Sequence, residues 1–434
     1  MNTTSDRPAA RGRTFLESLF RGAVAAAHPQ GCLPPNLPAP PARGRLVILA
    51  AGKAAGSMTK VADRYYAALP LTRIAGLAVT RHGYGRPTTR IPVIEAGHPV
   101  PDKAGISATK RALKLAEELD AEDLLLVLLS GGASANWIAP APGLTLAEKQ
   151  ATTRALLKSG AAIAEINTVR KHLSRIKGGR LAERAFPAKV VTLSISDVPG
   201  DDPAVIGSGP TIPDPTTLAD ARAIVARYQL ALPEAVRRAL DDPANETPKP
   251  GDDVFAGTDY RIVARPADAL TAAAERAKAA GYECVVLSGS LQGEAREVAA
   301  EHARLARSLA GQGRRAVVLS GGELTVTLRG QGQGGPNQEY ALALAIHLEG
   351  APAIAGLAAD TDGTDGGGGR PDDPAGAFVD PTTLARARAA GLDPAAFLAD
   401  NNSTGFFNGI GDLFRPGPTY TNVTDFRAIV VDRP

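Results

Sequence analysis

The sequence predicts an α/β protein in two domains, its strands running parallel and covered by helices. Three observations carry the prediction. Short apolar runs alternate with longer Ala-rich segments of helical periodicity, as strands buried on both faces do. Glycine loops follow several of these runs, at the strand ends where such sheets bind ligands. The chain, at 434 residues, is longer than one hydrophobic core supports.

The elements follow in order. Residues 1–13 are polar, and Thr14-Phe15-Leu16-Glu17 is a capping box that opens an amphipathic helix. Charges recur among its apolar positions, which sets it apart from a signal peptide. Strands are expected at 46–50, 74–79, 124–129, 190–194, 285–287, 316–319 and 354–358. Helices are expected at 103–119, 146–158, 167–185, 266–280 and 294–310. The segment 240–253 is rich in proline and charge and reads as a linker. It places the domain boundary near 245, giving domains 1–245 and 246–434. The glycine-rich stretch 366–373 reads as a lid edge.

Composition narrows the function. The chain is 44% hydrophobic and 21% charged, with a net charge of +3. No Lys/Arg block with interleaved aromatics occurs, which argues against a nucleic-acid partner. No apolar run reaches membrane-spanning length, so no membrane partner is expected. Its two cysteines, Cys32 and Cys284, form no CxxC and fit a reducing, cytoplasmic setting. A homo-oligomer is compatible with the sequence.

The loops carry the chemistry. In Gly52-Lys53-Ala54-Ala55 a strand turns into a helix, and a lysine there opposes the helix dipole unless an anion lies nearby. It reads as a phosphate ligand or as a surface lysine. Ser130-Gly131-Gly132-Ala133-Ser134 offers backbone N–H groups and two hydroxyls to an anion. The helix 167–180 is basic and includes Lys171 and Arg175 on one face. Asp197, at a strand end, suits a metal, a general base or an Asx turn. Gly330-x-Gly332-x-x-Gly335, between an expected strand at 323–329 and a helix at 337–348, matches the dinucleotide fingerprint, with Asp360 about 25 residues on. The alternating pattern of 324–329 and the missing donor at Pro336 count against that match. Asp360, Asp362 and Asp365 follow the strand 354–358; one or two carboxylates suffice for Mg²⁺ when phosphates and water complete its shell. A phosphate cradle with a hard-cation site is the equipment of phosphoryl transfer.

These motifs, with Gly97-His98-Pro99-Val100-Pro101-Asp102, Ser196-Asp197-Val198, Gly207-Ser208-Gly209-Pro210-Thr211 and Gly417-Pro418-Thr419-Tyr420-Thr421-Asn422-Val423, make the chain resemble bacterial and archaeal glycerate 2-kinases. The resemblance spans about residues 14 to 431. It implies an N-terminal Rossmann-like parallel sheet, a C-terminal α/β domain with a mixed sheet, and an active site in the cleft between them. It implies ATP-dependent phosphorylation of D-glycerate to 2-phosphoglycerate, with Mg²⁺. Some relatives carry a hydroxypyruvate reductase label, which keeps an NAD(P)-dependent reductase as the alternative, beside a non-catalytic sugar-acid binder. The expected site comprises Lys53 and Asp197 as catalytic residues and Asp360 and Asp362 as metal ligands. Ser130, Gly131, Gly132, Ser134, Arg175, Gly334, Gly335, Asn337 and Glu339 are expected to bind substrate or phosphate. Many relatives have arginine where this chain has Pro336; Arg175, Lys171 and Arg329 are the cations expected to replace it, Arg175 first.

Overall fold

The structure is a computed structural model that describes residues 6–69, 73–366, 370 and 372–433, with side chains from residue 12 onward. The lid edge expected at 366–373 lies in part outside these residues, at 367–369 and 371. The chain forms two compact units.

The first unit comprises residues 33–195 and 201–263. Its strands are β1 (Leu46–Ala51), β2 (Ile74–Arg81), β3 (Val93–Ala96), β4 (Leu124–Leu129), β5 (Lys189–Ile195) and β6 (Thr258–Ala264), in the order β3-β2-β1-β4-β5-β6. Parallel pairing runs from β3 through β2, β1 and β4 to β5. Leu46 of β1 faces Ile74 of β2 on one side and Leu124 of β4 on the other. All residues of β1 and β4 are buried, so these strands could not alternate apolar with polar. This is the doubly wound order, and it reverses between β1 and β4.

Helices begin where the sequence supplies caps. Asp102 accepts from the Gly105 amide at 2.9 Å and starts the helix Lys103–Glu117. Thr145 and Glu148 close a capping box on Leu146–Lys158. The expected helix 167–185 is two helices, Ile163–His172 and Arg180–Ala185, separated by a turn at 173–179 that ends on Gly178-Gly179 with positive φ.

The second unit comprises residues 6–32, 196–200 and 264–433. Its strands are β7 (Glu283–Val286), β8 (Ala316–Ser320), β9 (Ile354–Asp360), β10 (Gly376–Val379), β11 (Leu413–Phe414) and β12 (Asp425–Val431), in the order β11-β10-β9-β12-β8-β7. β7 and β8 are parallel, whereas β12 runs antiparallel to both β8 and β9. The sheet is therefore mixed. Around it, the helices Ala295–Gly311 and Pro336–Leu348 supply much of the core.

The observed division differs from a single cut at 245. The expected linker is folded into the first unit: Glu246 accepts from the Leu218 amide at 3.0 Å and contacts the His172 ring, and the buried Asn245 donates to Ala239 O at 2.9 Å. Strand β6 then adds an edge to the first sheet before the chain crosses. At the other end, the helix Asp6–Ala27 belongs to the second unit. Its Phe20 packs edge-on against Phe414 and Phe426, and Phe15 stacks on Tyr282. The sequence shows this helix's apolar stripe but not which core covers it. Among the described residues no helix is long and apolar enough to cross a membrane.

His302, in the helix Ala295–Gly311, is buried with Nδ1 2.7 Å from the Tyr340 hydroxyl. Burial, assisted by the Arg427 charge, pushes its pKa down from 6.5 to about 4. The fold thus favours the neutral ring. That contribution is complete above pH 6.5 and is lost as pH falls toward 4. It corresponds to on the order of 3 kcal/mol, at 1.36 kcal/mol per unit. Thermal denaturation between pH 7 and 4 should show a steeper loss of stability in the wild type than in His302→Gln, and parallel curves would refute this.

Candidate functional site

Where the strand order reverses, the loops after β1 and β4 meet. The Lys53 amide donates to Gly131 O at 2.7 Å, and the Ala54 amide donates to Ser130 Oγ at 2.9 Å. Gly52 makes this approach possible: at φ +118°, a Cβ there would lie 2.4 Å from both Ser130 O and Ser130 Oγ. Lys53 is half-buried beside Gly132, whose other neighbour is the His98 ring. Ser130 is fully buried, so its hydroxyl fixes the two loops to each other. Among the described residues the amides of Gly131, Gly132 and Ser134 donate to no protein group. Ser134 Oγ lies 2.7 Å from Ser208 Oγ, which brings in the 207–211 motif. This is a backbone surface suited to an anion, with a lysine beside it.

In the second unit the motifs meet around Asp365. Its Oδ1 accepts from the Asn337 amide at 3.0 Å and from Asn337 Nδ2 at 3.1 Å; its Oδ2 accepts from the Gln338 amide at 2.9 Å and from Gln338 Nε2 at 3.1 Å. Asn337 Nδ2 also donates to Asp425 at 2.7 Å. Asp425 is paired with the fully buried Arg427, which donates to Gly321 O at 2.8 Å. Burial, with the charge of Asp425, pushes the Asp365 carboxyl up to about 7 against the amides that favour its ionised form. Glu339, buried, accepts from Arg296 Nε at 2.6 Å and Asn401 Nδ2 at 3.0 Å. Asn337 and Glu339, expected as substrate contacts, are thus engaged in holding the protein together.

The glycine run has a packing reason. A Cβ at Gly332 would strike Asn402, one at Gly334 would strike Ser403 Oγ, and one at Gly335 would lie 2.4 Å from Asp365 Cγ. Residues 323–329 form no strand beyond an isolated bridge between Thr325 and Glu294. The fingerprint therefore loses the strand it needs, and its glycines serve protein contacts. Pro336 occupies the first helical position, where its missing N–H costs nothing.

Asp360 and Asp362 stand at the carboxyl end of β9. Asp360 Oδ1 accepts from the Asp362 amide at 2.9 Å, and Asp362 Oδ1 accepts from the Thr364 amide at 2.8 Å. Asp197 accepts from Asn422 Nδ2 at 2.8 Å, and the next residue, Val423, donates its amide to Thr361 Oγ1 at 2.9 Å. Three motifs far apart in sequence therefore share one end of the second unit.

Arg175 does not join Ser134. It is exposed, and it lines a surface pocket of about 410 Å³ with Lys110, Lys114 and Ile138. Lys171 pairs with the buried Asp214 at 3.4 Å. Lys149, Arg170 and Lys177 lie near Ser134; sequence reasoning passed over Lys149 and took Arg170 and Lys177 only as part of a basic helix. One signal was present: Lys149 precedes Thr152 and Leu156 by three and seven residues, on the face of its helix that is buried.

Comparison with known proteins agrees with this architecture. A domain of unknown function, DUF4147, matches residues 15–241, and the MOFRL family matches residues 316–425. A protein of Agrobacterium vitis named "Putative hydroxypyruvate reductase" is 49% identical over 96% of this chain and 94% of its own length. The D-glycerate 2-kinase of Thermotoga maritima is 42% identical over 88% of this chain and 89% of its own. A crystal structure of glycerate kinase from the same organism matches with a TM-score of 0.86 at 39% identity, covering 98% of this chain and 100% of that one. These matches, over both units, define a two-unit α/β enzyme. The chain belongs to the glycerate kinase family.

Proposed function

We propose that the protein transfers the terminal phosphoryl group of ATP to the 2-hydroxyl of D-glycerate, giving 2-phosphoglycerate and ADP. The observation that carries this reading is the meeting of Lys53 with the loop 130–134 at the switch point of a doubly wound sheet, in a chain whose relatives include named D-glycerate 2-kinases. Backbone amides and a lysine are suited to the charge of a transferring phosphoryl group, where catalysis is mostly positioning and charge neutralisation. Asp360 and Asp362 would hold Mg²⁺. Their hard oxygens fit an ion that takes one or two carboxylates and keeps phosphate and water for the rest. Bound there, the ion would neutralise phosphate charge. Asp197, half-buried and held by Asn422, would orient the 2-hydroxyl. Both cysteines are free thiols, in keeping with a cytoplasmic enzyme.

The 49% identical relative favours a second reading, an NAD(P)-dependent hydroxypyruvate reductase. The glycine run speaks against it, because its glycines are packed on Asn402, Ser403 and Asp365. Incubation with ATP, Mg²⁺ and D-glycerate, coupled to enolase without a phosphoglycerate mutase, should give a signal. A signal only after mutase addition would mean attack by the 3-hydroxyl. NADH consumption with hydroxypyruvate and no ATP turnover would establish the reductase instead.

Lys53→Ala should lower kcat on the order of 10²–10³-fold, the loss typical of one electrostatic contact to the transition state. A normal kcat with a raised KM would reduce Lys53 to ground-state binding. Asp360→Asn and Asp362→Asn should each raise the Mg²⁺ concentration that gives half-maximal rate. Superposable Mg²⁺ titrations would leave both residues as turn formers.

A further inference from the structure

Lys149 and Arg170 of the first unit line a pocket of about 260 Å³ together with Ser134, and a third cation, Lys177, reaches the Ser134 carbonyl close to both of them. Lys149 and Lys177 are 4% and 1% exposed. Each donates to a backbone carbonyl, Lys149 to Leu173 O at 2.6 Å and Lys177 to Ser134 O at 3.0 Å. Arg170 donates to Asn167 Oδ1 at 3.3 Å. Among the described residues no carboxylate pairs with any of the three, although nearby Lys171 has Asp214. Arg154 adds a fourth cation at the exposed side of the pocket.

Burying like charges together without a counter-charge is costly, and proteins seldom do it for stability. Here it depresses the lysines. Burial, then the Arg170 charge, brings Lys149 down to about 7, and burial with both neighbours brings Lys177 well below its ordinary value. An anion in the pocket would reverse the penalty. The pocket under Arg175 has no such demand, since Arg175 is solvated.

We propose that this pocket is an anion subsite in which Arg170 and Lys149, with Arg154 at the rim, hold a carboxylate or phosphate group of a substrate, while Lys177 fixes the Ser134 carbonyl behind it. The assignment rests on the kinase reading and deepens it. Such an enzyme must hold two anions at once, the carboxylate of the acid and the phosphates of the nucleotide, and the loop 130–134 with Lys53 accounts for one. The guanidinium of Arg170 suits either group through paired N–H donors.

The test is calorimetric titration of the full chain with D-glycerate, inorganic phosphate and, as neutral control, glycerol. The wild type should bind at least one of the two anions and not glycerol. Arg170→Gln should weaken that binding about tenfold to a hundredfold, the effect of losing a charge-assisted hydrogen bond. Lys149→Met is the second variant; it replaces a buried cation by an unbranched apolar side chain one heavy atom shorter, so it should melt no lower than wild type while also losing affinity. Unchanged affinity in the folded variants, or equal binding of glycerol, overturns the subsite. Steady-state kinetics on the same preparations identify the occupant. A rise in KM for glycerate alone assigns the carboxylate, a rise in KM for ATP alone assigns a nucleotide phosphate, and no rise in either overturns the proposal. Wild-type turnover with unaltered variants would sink the subsite and leave the kinase reading. Anion binding lost in the variants of a protein that does not turn over would sustain the subsite and sink the kinase reading.

Discussion

The first unit depends on one constraint: the loops after β1 and β4 must interlock. Two backbone amides, of Lys53 and Ala54, are satisfied by Gly131 O and Ser130 Oγ. Only a residue without a side chain fits at position 52, because Ser130 occupies the space a Cβ would take. The consequence is that Lys53 is placed against the glycine loop by main-chain bonds. Its ammonium is carried by a short, defined turn, built in part by the buried Ser130 hydroxyl. The loop amides of Gly131, Gly132 and Ser134 are left as the surface that can meet an anion.

The second unit solves a different problem, that of holding acidic side chains close together. Asp365 and Asp425 share Asn337, and the buried Arg427 supplies a cation that balances them. Four N–H donors on Asp365 stabilise its ionised form, while burial and Asp425 oppose it. Removing one partner from such a network leaves another group buried and unsatisfied. The network joins the helix Pro336–Leu348, strand β12, the loop after β9 and the loop after β8. Asp360 and Asp362, on the same loop as Asp365, inherit their placement from it.

The contrast between the two glycine-rich regions is instructive. Both look in sequence like phosphate cradles. At 130–134 the glycines leave amides unengaged, whereas at 330–335 they admit Asp400–Asn402, Ser403 and Asp365 to close packing. Glycine spacing reports that something approaches the backbone closely; it does not say whether that is a ligand or the protein. The same ambiguity affected the cations. Arg175 and Lys171 stood out as a basic helical face, yet one is solvated and the other ion-paired. Of the cations with no carboxylate partner, Lys149 takes a buried position of its helix where periodicity alone would place an apolar side chain, and Lys177 is buried in the turn before the helix Arg180–Ala185.

The sequence by itself determined the local features. The runs at 46–50, 124–129, 190–194, 316–319 and 354–358 are strands because apolar, strand-length segments between glycine turns have little alternative. Caps at Asp102 and Thr145 start helices, Pro336 begins one, and the acidic and glycine loops lie at strand ends. Tertiary structure alone decided what is non-local. Strand β12 enters antiparallel between β8 and β9, and Arg427 within it is buried only because Asp425 and Gly321 O meet it there. The helix Asp6–Ala27 joins the far end of the chain, and Glu246 draws a linker-like segment into a core. Lys53 meets Gly131 through a strand order that no local pattern encodes. Hydrophobic period specifies which face of an element is buried; the partner that buries it is chosen by the packing of the whole unit.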